Sequence, residues 1–161
     1  MYGSELDAIL ISNSENRRYL SGFTGSAGYL IISKHDAVLA TDFRYVEQAS
    51  SQTDFRIEKM TSGGTWLTKT ISNESIGRLG FESDDITVSI LSNFEKEIEK
   101  IASSKRPTLV PTSGIVNRLR AVKDRDELNL VRKAVEISDR AFDAVAPGIC
   151  PGKTEKQVAW E

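Results

Sequence analysis

The chain has 161 residues and a formal net charge of −2, and it is 39% hydrophobic and 27% charged. That is the profile of one folded domain or slightly more, not of a disordered chain. A single cysteine, Cys150, excludes an internal disulfide or a thiolate zinc cluster, and a single histidine, His35, leaves a metal- or histidine-dependent enzyme poorly supplied.

Lys/Arg and Asp/Glu are balanced, 14 to 15 over residues 1–122 and 7 to 8 over 123–161. Neither a nucleic-acid-binding arm nor a membrane-surface patch is expected. The apolar runs are too short to span a membrane and no secretory leader is visible. The expected compartment is the reducing cytoplasm.

Asp7–Ser12 predicts a short buried strand. Asn13–Arg18 is polar, a loop or the start of a helix, and Gly22, Gly25 and Gly28 punctuate a loop over 21–28. Tyr29–Ile32 and Ala37–Ala40, joined by Ser33–Asp36, predict an antiparallel hairpin that places His35 in an exposed turn. Thr41-Asp42 is a candidate cap for a helix through Gln48, with Tyr45, Val46 and Ala49 inward. Phe55–Met60 alternates like a half-buried strand. Ser62–Thr65 reads as a turn before a helix near 66–72, and Arg78–Phe81 as a further strand.

Thr87–Ala102 carries Ile90, Leu91, Phe94, Ile98 and Ile101 at helical spacing, and Leu109-Val110 predicts a last strand before Pro111. Strands and helices interleave, so the expected class is α/β with a mixed sheet covered by helices on both faces. The tail differs. Asp124–Glu127 opens a long helix striped by Leu128, Val131, Val135, Phe142 and Val145, and Pro147-Gly148 ends it. A second helix follows Thr154, whose spacing to Gln157 is that of a capping box. The expectation is a domain over 1–122 followed by the opening of a second, truncated one over 123–161.

The loop Asn16–Gly28 holds two arginines, three glycines and several hydroxyls. Its glycines suit backbone anion binding, but they fit neither a Walker loop nor a dinucleotide fingerprint. A tight connection where backbones pass closely explains them equally. Asp42-Phe43-Arg44-Tyr45 either pairs internally or offers Arg44 to a carboxylate. Trp66 reads as core, or as an interface aromatic. Glu95, Glu97 and Glu99 with Lys96 and Lys100 read as a solvated helix face. Asp84 and Asp85, with no histidine beside them, do not suggest a metal.

Asn16–Gly28 together with Thr41–Tyr45 and Gln48-Ala49 resembles the N-terminal domain of Xaa-Pro aminopeptidases, shared by prolidases and creatinases. The resemblance continues through Val116–Lys123 and Glu127-Leu128 to Ile149, Pro151-Gly152, Thr154-Glu155 and Val158-Ala159. It implies a ribonuclease H-like mixed sheet, then the first helices of a pita-bread catalytic domain. In the full-length protein that domain binds two divalent ions, manganese by expectation, on two Asp, one His and two Glu, and it cleaves the bond before proline in peptides. No catalytic or metal-ligating residue carries over to this chain, which is expected to be inactive alone.

The resemblance further implies a homo-oligomer whose N-terminal domains help wall the active-site mouth. Phe23, Arg44 and Tyr45 are the residues expected at that substrate entrance. The alternative is a peptidase-like interaction module without catalysis. Family members usually carry an amphipathic helix before the first strand, where this chain has only Met1–Ser4.

Overall fold

The computed structural model describes residues 6–61 and 64–160. The expectation concerning Met1–Ser4, and the Ser62-Gly63 half of the predicted turn, lie outside those residues. The chain divides into two compact units, Met1–Arg120 and Ala121–Glu161.

In the first unit, strands β1 (Ala8–Ile11), β2 (Tyr29–Ser33), β3 (Ala37–Thr41), β4 (Arg56–Lys59), β5 (Arg78–Glu82) and β6 (Thr108–Thr112) form one sheet in the order β4-β3-β2-β1-β5-β6. Strand β2 runs antiparallel to β1 and β3, whereas β1–β5, β5–β6 and β3–β4 are parallel pairs. The 3-2-1-5-6 core of this order is the ribonuclease H-like arrangement. Helices α1 (Ser14–Ser21), α2 (Val46–Gln52), α3 (Thr65–Glu74), α4 (Val88–Ile98) and α5 (Ile115–Ala121) connect or follow the strands.

Strand alternation sorts the core into two layers. Ala8, Leu10, Ile31, Ala40, Leu79 and Phe81 face one layer with Trp66, Leu67 and Ile71 of α3 and Phe94 and Ile98 of α4. Ile11, Leu30 and Leu39 face the other, with Phe23, Ala49 of α2 and Val116 of α5. Helices therefore cover both faces, as the pattern predicts. Trp66 lies in the first layer, stacked on Tyr29 at 5.5 Å and edge-on to Phe94 at 6.2 Å.

Four boundaries depart from the sequence reading. Helix α1 runs on to Ser21 and ends at Gly22, whose left-handed φ of 74° closes it. Helix α2 begins at Val46, not after Asp42, because the Asp42 carboxylate instead accepts the Arg44 backbone N–H at 2.9 Å, and a turn over 42–45 intervenes. Helix α4 ends at Ile98, where the N–H groups of Lys100 and Ile101 turn to the carbonyls of Glu97 and Ile98. Ile101 stays in the core, so the apolar period outlasts the helix. Glu97 is not a fully solvated carboxylate, since its side chain is 16% exposed and pairs with Lys100 at 2.6 Å.

The fourth departure is β6, which continues through Pro111. The Thr108 N–H donates to Gly77 and the Thr112 carbonyl accepts from Ser83, so these residues turn their backbone groups toward β5. By alternation Pro111 directs its nitrogen to the open edge, where no ladder bond is lost. Helix α5 has no counterpart in the sequence reading.

The second unit holds α6 (Arg125–Val145) and α7 (Glu155–Ala159). Asp124 and Glu127 form a reciprocal capping box on α6, and Thr154 and Gln157 form one on α7. Leu128, Val131, Val135 and Phe142 lie exposed along α6. Among the described residues no helix is long and apolar enough to cross a membrane.

Candidate functional site

The pairing directions bring the carboxyl ends of β1, β3, β5 and β6 and the start of β2 to one edge of the sheet. In open α/β sheets this edge is where ligands are received. Here it carries the β1–α1 loop, the glycine loop over 22–28 and the turn over 42–45. His35 sits exposed in the β2–β3 turn at the opposite edge.

Arg17 organises the glycine loop from within. It is 2% exposed, and its guanidinium donates to the carbonyls of Gly28 at 2.6 Å, Gly25 at 2.9 Å and Ser12 at 3.4 Å. It also lies 5.8 Å from the Phe23 ring centroid, within range of a cation–π contact. Burial lowers its pKa from the ordinary value, though a guanidinium keeps its charge in proteins. Its donors therefore serve the loop's own carbonyls, so the structure favours the tight-connection reading of the glycines over anion binding. Gly25 faces the tip of the Phe23 ring with no room for a side chain.

The three residues expected at a substrate entrance come together in one cluster. Phe23 is buried at 1% exposure and meets Tyr45 edge-to-face at 6.1 Å. Tyr45 is half-buried, and its hydroxyl shares a 2.8 Å hydrogen bond with Ser26 of the glycine loop. Arg44 is exposed, lies 5.3 Å from the Tyr45 ring centroid, and grips Asp42 through Nε at 3.1 Å and a terminal nitrogen at 2.7 Å. Thr24 and Gln52 tie the loop to α2: the Thr24 N–H donates to Gln52 at 3.0 Å. The cluster thus presents a fixed arginine on an aromatic base, while Phe23 supports it from the core. Phe43, beside Arg44, is 71% exposed.

The Arg44 guanidinium holds the Asp42 carboxyl below its ordinary value of 3.8, chiefly by side-chain hydrogen bonding. A depressed carboxyl contributes stability that is present above the unfolded pKa and lost as pH falls through the lower folded one. Titration of the Asp42 carboxyl carbon by NMR is therefore expected to show a midpoint under 3.8, with Arg44→Gln moving it back up. An unshifted midpoint in the unaltered chain removes the charge coupling.

Further along the edge, Glu82 at the end of β5 fastens the β1–α1 loop. Its carboxylate accepts the N–H groups of Ser12 and Asn13, each at 2.8 Å, and the Asn16 amide at 2.6 Å. Asn16 in turn accepts from Arg120 at 2.8 Å. Asn16 opens the loop that the sequence singles out, but Glu82 belongs to no spaced chemical motif and is not marked by it. Among the described residues no three His, Cys, Asp or Glu side chains come together so as to hold a metal ion.

This chain joins a mixed sheet to a glycine loop and a Thr-Asp-x-Arg-Tyr turn on its carboxyl edge, and the model of the creatinase/prolidase N-terminal domain matches residues 1–122. The chain belongs to this family. It is similar to the uncharacterized peptidase YqhT of Bacillus subtilis, 35% identical over 159 residues that cover 97% of this chain and 43% of YqhT. The Xaa-Pro dipeptidase from Bacillus anthracis superposes with a TM-score of 0.86 at 37% identity, covering 95% of this chain and 42% of that one. The X-Pro aminopeptidase from Thermotoga maritima superposes at 0.81 with 31% identity, covering 96% and 44%. The chain therefore spans less than half the length of the relatives it matches.

Proposed function

We propose that this chain is the N-terminal, non-catalytic part of a metal-dependent Xaa-Pro peptidase, with residues 123–161 opening its catalytic domain. The observation that carries this reading is the run of similarity past residue 122, through 97% of the chain, into a relative more than twice as long. In the whole protein the two divalent ions, manganese in this reading, belong to the following domain and activate water against the bond before proline. The exposed apolar stripe of α6 supports a helix that packs within a larger domain. A cytoplasmic homo-oligomer acting on proline-containing peptides completes the reading.

Arg44 is the residue of this chain placed to meet substrate at the entrance. It is exposed, charged at all relevant pH and held on Tyr45, with Phe23 as the buried support. A peptide carboxylate or carbonyl is the matching acceptor. In the full-length enzyme Arg44→Ala is expected to lower kcat/KM for Xaa-Pro peptides about tenfold, a loss of about 1.4 kcal/mol. Unchanged kcat/KM with lower stability alone would refute the entrance role. The 161-residue chain by itself is expected to hydrolyse no Xaa-Pro peptide, and turnover that a chelator abolishes would overturn that. A reading frame that continues without two Asp, one His and two Glu in family order leaves an interaction module in place of the enzyme.

A further inference from the structure

We propose that Arg17, although buried and remote from solvent, is the positioning residue of the entrance, fixing through the glycine loop where Tyr45 and Arg44 stand. The proposal rests on the entrance reading of Arg44 but is carried by separate contacts. Arg17 joins the end of β1 at Ser12 and Gly28 just before β2, both just past the last rung of the β1–β2 ladder at Ile11 and Leu30, to the loop at Gly25, which no ladder reaches. From the loop so held, two links lead outward. The Thr41 hydroxyl donates to the Ala27 carbonyl at 2.6 Å, which ties the loop to the end of β3. Ser26 hydrogen-bonds the Tyr45 hydroxyl at 2.8 Å, and Tyr45 is the ring over which Arg44 lies.

Arg17 is held by hydrogen bonds to backbone and not by an ion pair. Its Nε has no hydrogen-bond partner, and no carboxylate lies in a salt bridge with it among the described residues. A buried cation without a directly paired anion is costly. Three backbone carbonyls that accept from the guanidinium offset that cost here, and an apolar side chain would leave them without this donor. What an apolar residue does not supply is a planar fork that reaches the Gly25 and Gly28 carbonyls at once. The fork therefore sets the geometry of the loop as well as satisfying its carbonyls. Lysine, a single ammonium on a flexible stem, supplies the charge without the fork.

The test has two arms. In the 161-residue chain, Arg17→Met and Arg17→Lys are compared by NMR with the unaltered protein, following the Arg44 Nε–H signal and the amides of residues 25–28 and 42–45. Both groups of signals are expected to shift and lose exchange protection in Arg17→Met, with Arg17→Lys intermediate, while the amides of Leu10 and Leu79 stay protected. Unmoved signals at 42–45 overturn the proposal. If Arg17→Met does not fold, Ser26→Ala cuts the same path from an exposed position, and an unmoved Arg44 signal there overturns it equally.

In the full-length enzyme, Arg17→Met is expected to raise KM about three- to tenfold with kcat within about twofold, and to add nothing in an Arg44→Ala background. Additive effects overturn the proposal. If Arg44→Ala alone leaves kcat/KM unchanged, the entrance reading fails, while the coupling of Arg17 to Arg44 still stands or falls by NMR.

Discussion

Replacing Trp66 by alanine is expected to lower the stability of the first unit by about 3–5 kcal/mol, the usual cost of removing a large buried aromatic. The indole is 5% exposed and joins three elements, since it stacks on Tyr29 of β2 with planes 9° apart and meets Phe94 of α4 edge-on. Tyr29 and Phe94 also contact each other edge-to-face at 5.3 Å, so the three rings form a closed set. Removing one ring strips both others of a partner, and such aromatic pairs add about 0.5–1.5 kcal/mol beyond area burial. Urea unfolding monitored by far-UV circular dichroism measures the loss as a lower midpoint at an unchanged slope. Trp66→Phe keeps a ring and is expected to lose markedly less. If alanine costs no more than phenylalanine, the trio is not a determinant of the fold.

Strands and amphipathic helices were legible because their burial is apolar and periodic. The continuous apolar runs of β1, β2 and β3 mark strands covered on both faces, and the stripe of α4 marks one face. Helix α1 shows the opposite case. Its buried positions are Asn16, Arg17 and Ser21, all polar and all hydrogen-bonded, so no hydrophobic period marks its inner side. The end of α4 misleads for a related reason, because Ile101 remains buried after the helix has stopped. Pro111 looks like a strand terminator until the register shows its nitrogen on the open edge.

The candidate site divides in the same way. The glycines and the Asp42–Tyr45 turn stand out in the sequence as motifs. That they share one edge is a property of strand direction, which pairing over long sequence distance decides. Among the three residues expected at the entrance, burial separates Phe23 from Arg44, and nothing in a Gly-Phe-Thr-Gly string shows that the ring turns inward. Arg17 beside Arg18 gives no sign of which one the fold encloses: Arg17 is buried and Arg18 exposed. An arrangement built from backbone carbonyls, as around Arg17, leaves almost no trace in side-chain chemistry.

Gly28→Ala is the second substitution expected to act strongly, and it tests the loop without touching any charged group. Gly28 has a φ of 155°, on the positive side that L residues rarely adopt, and an added Cβ stands 2.7 Å from the Ala40 carbonyl oxygen. The backbone strain costs about 1–3 kcal/mol, and overpacking against a neighbouring strand adds about 1–3 kcal/mol. Ala40 cannot withdraw, because it is buried and pairs with Tyr29 in the β2–β3 ladder. Relief has to come from Gly28 itself, whose carbonyl is the nearest acceptor of Arg17 at 2.6 Å. The expected result is a thermal midpoint lower by about 10 °C or more for a unit of this size, together with NMR shifts that reach Gly25 and Tyr45. A variant as stable as the original means the loop accommodates a methyl group by local rearrangement, and the close approach of loop and β3 then has no structural role.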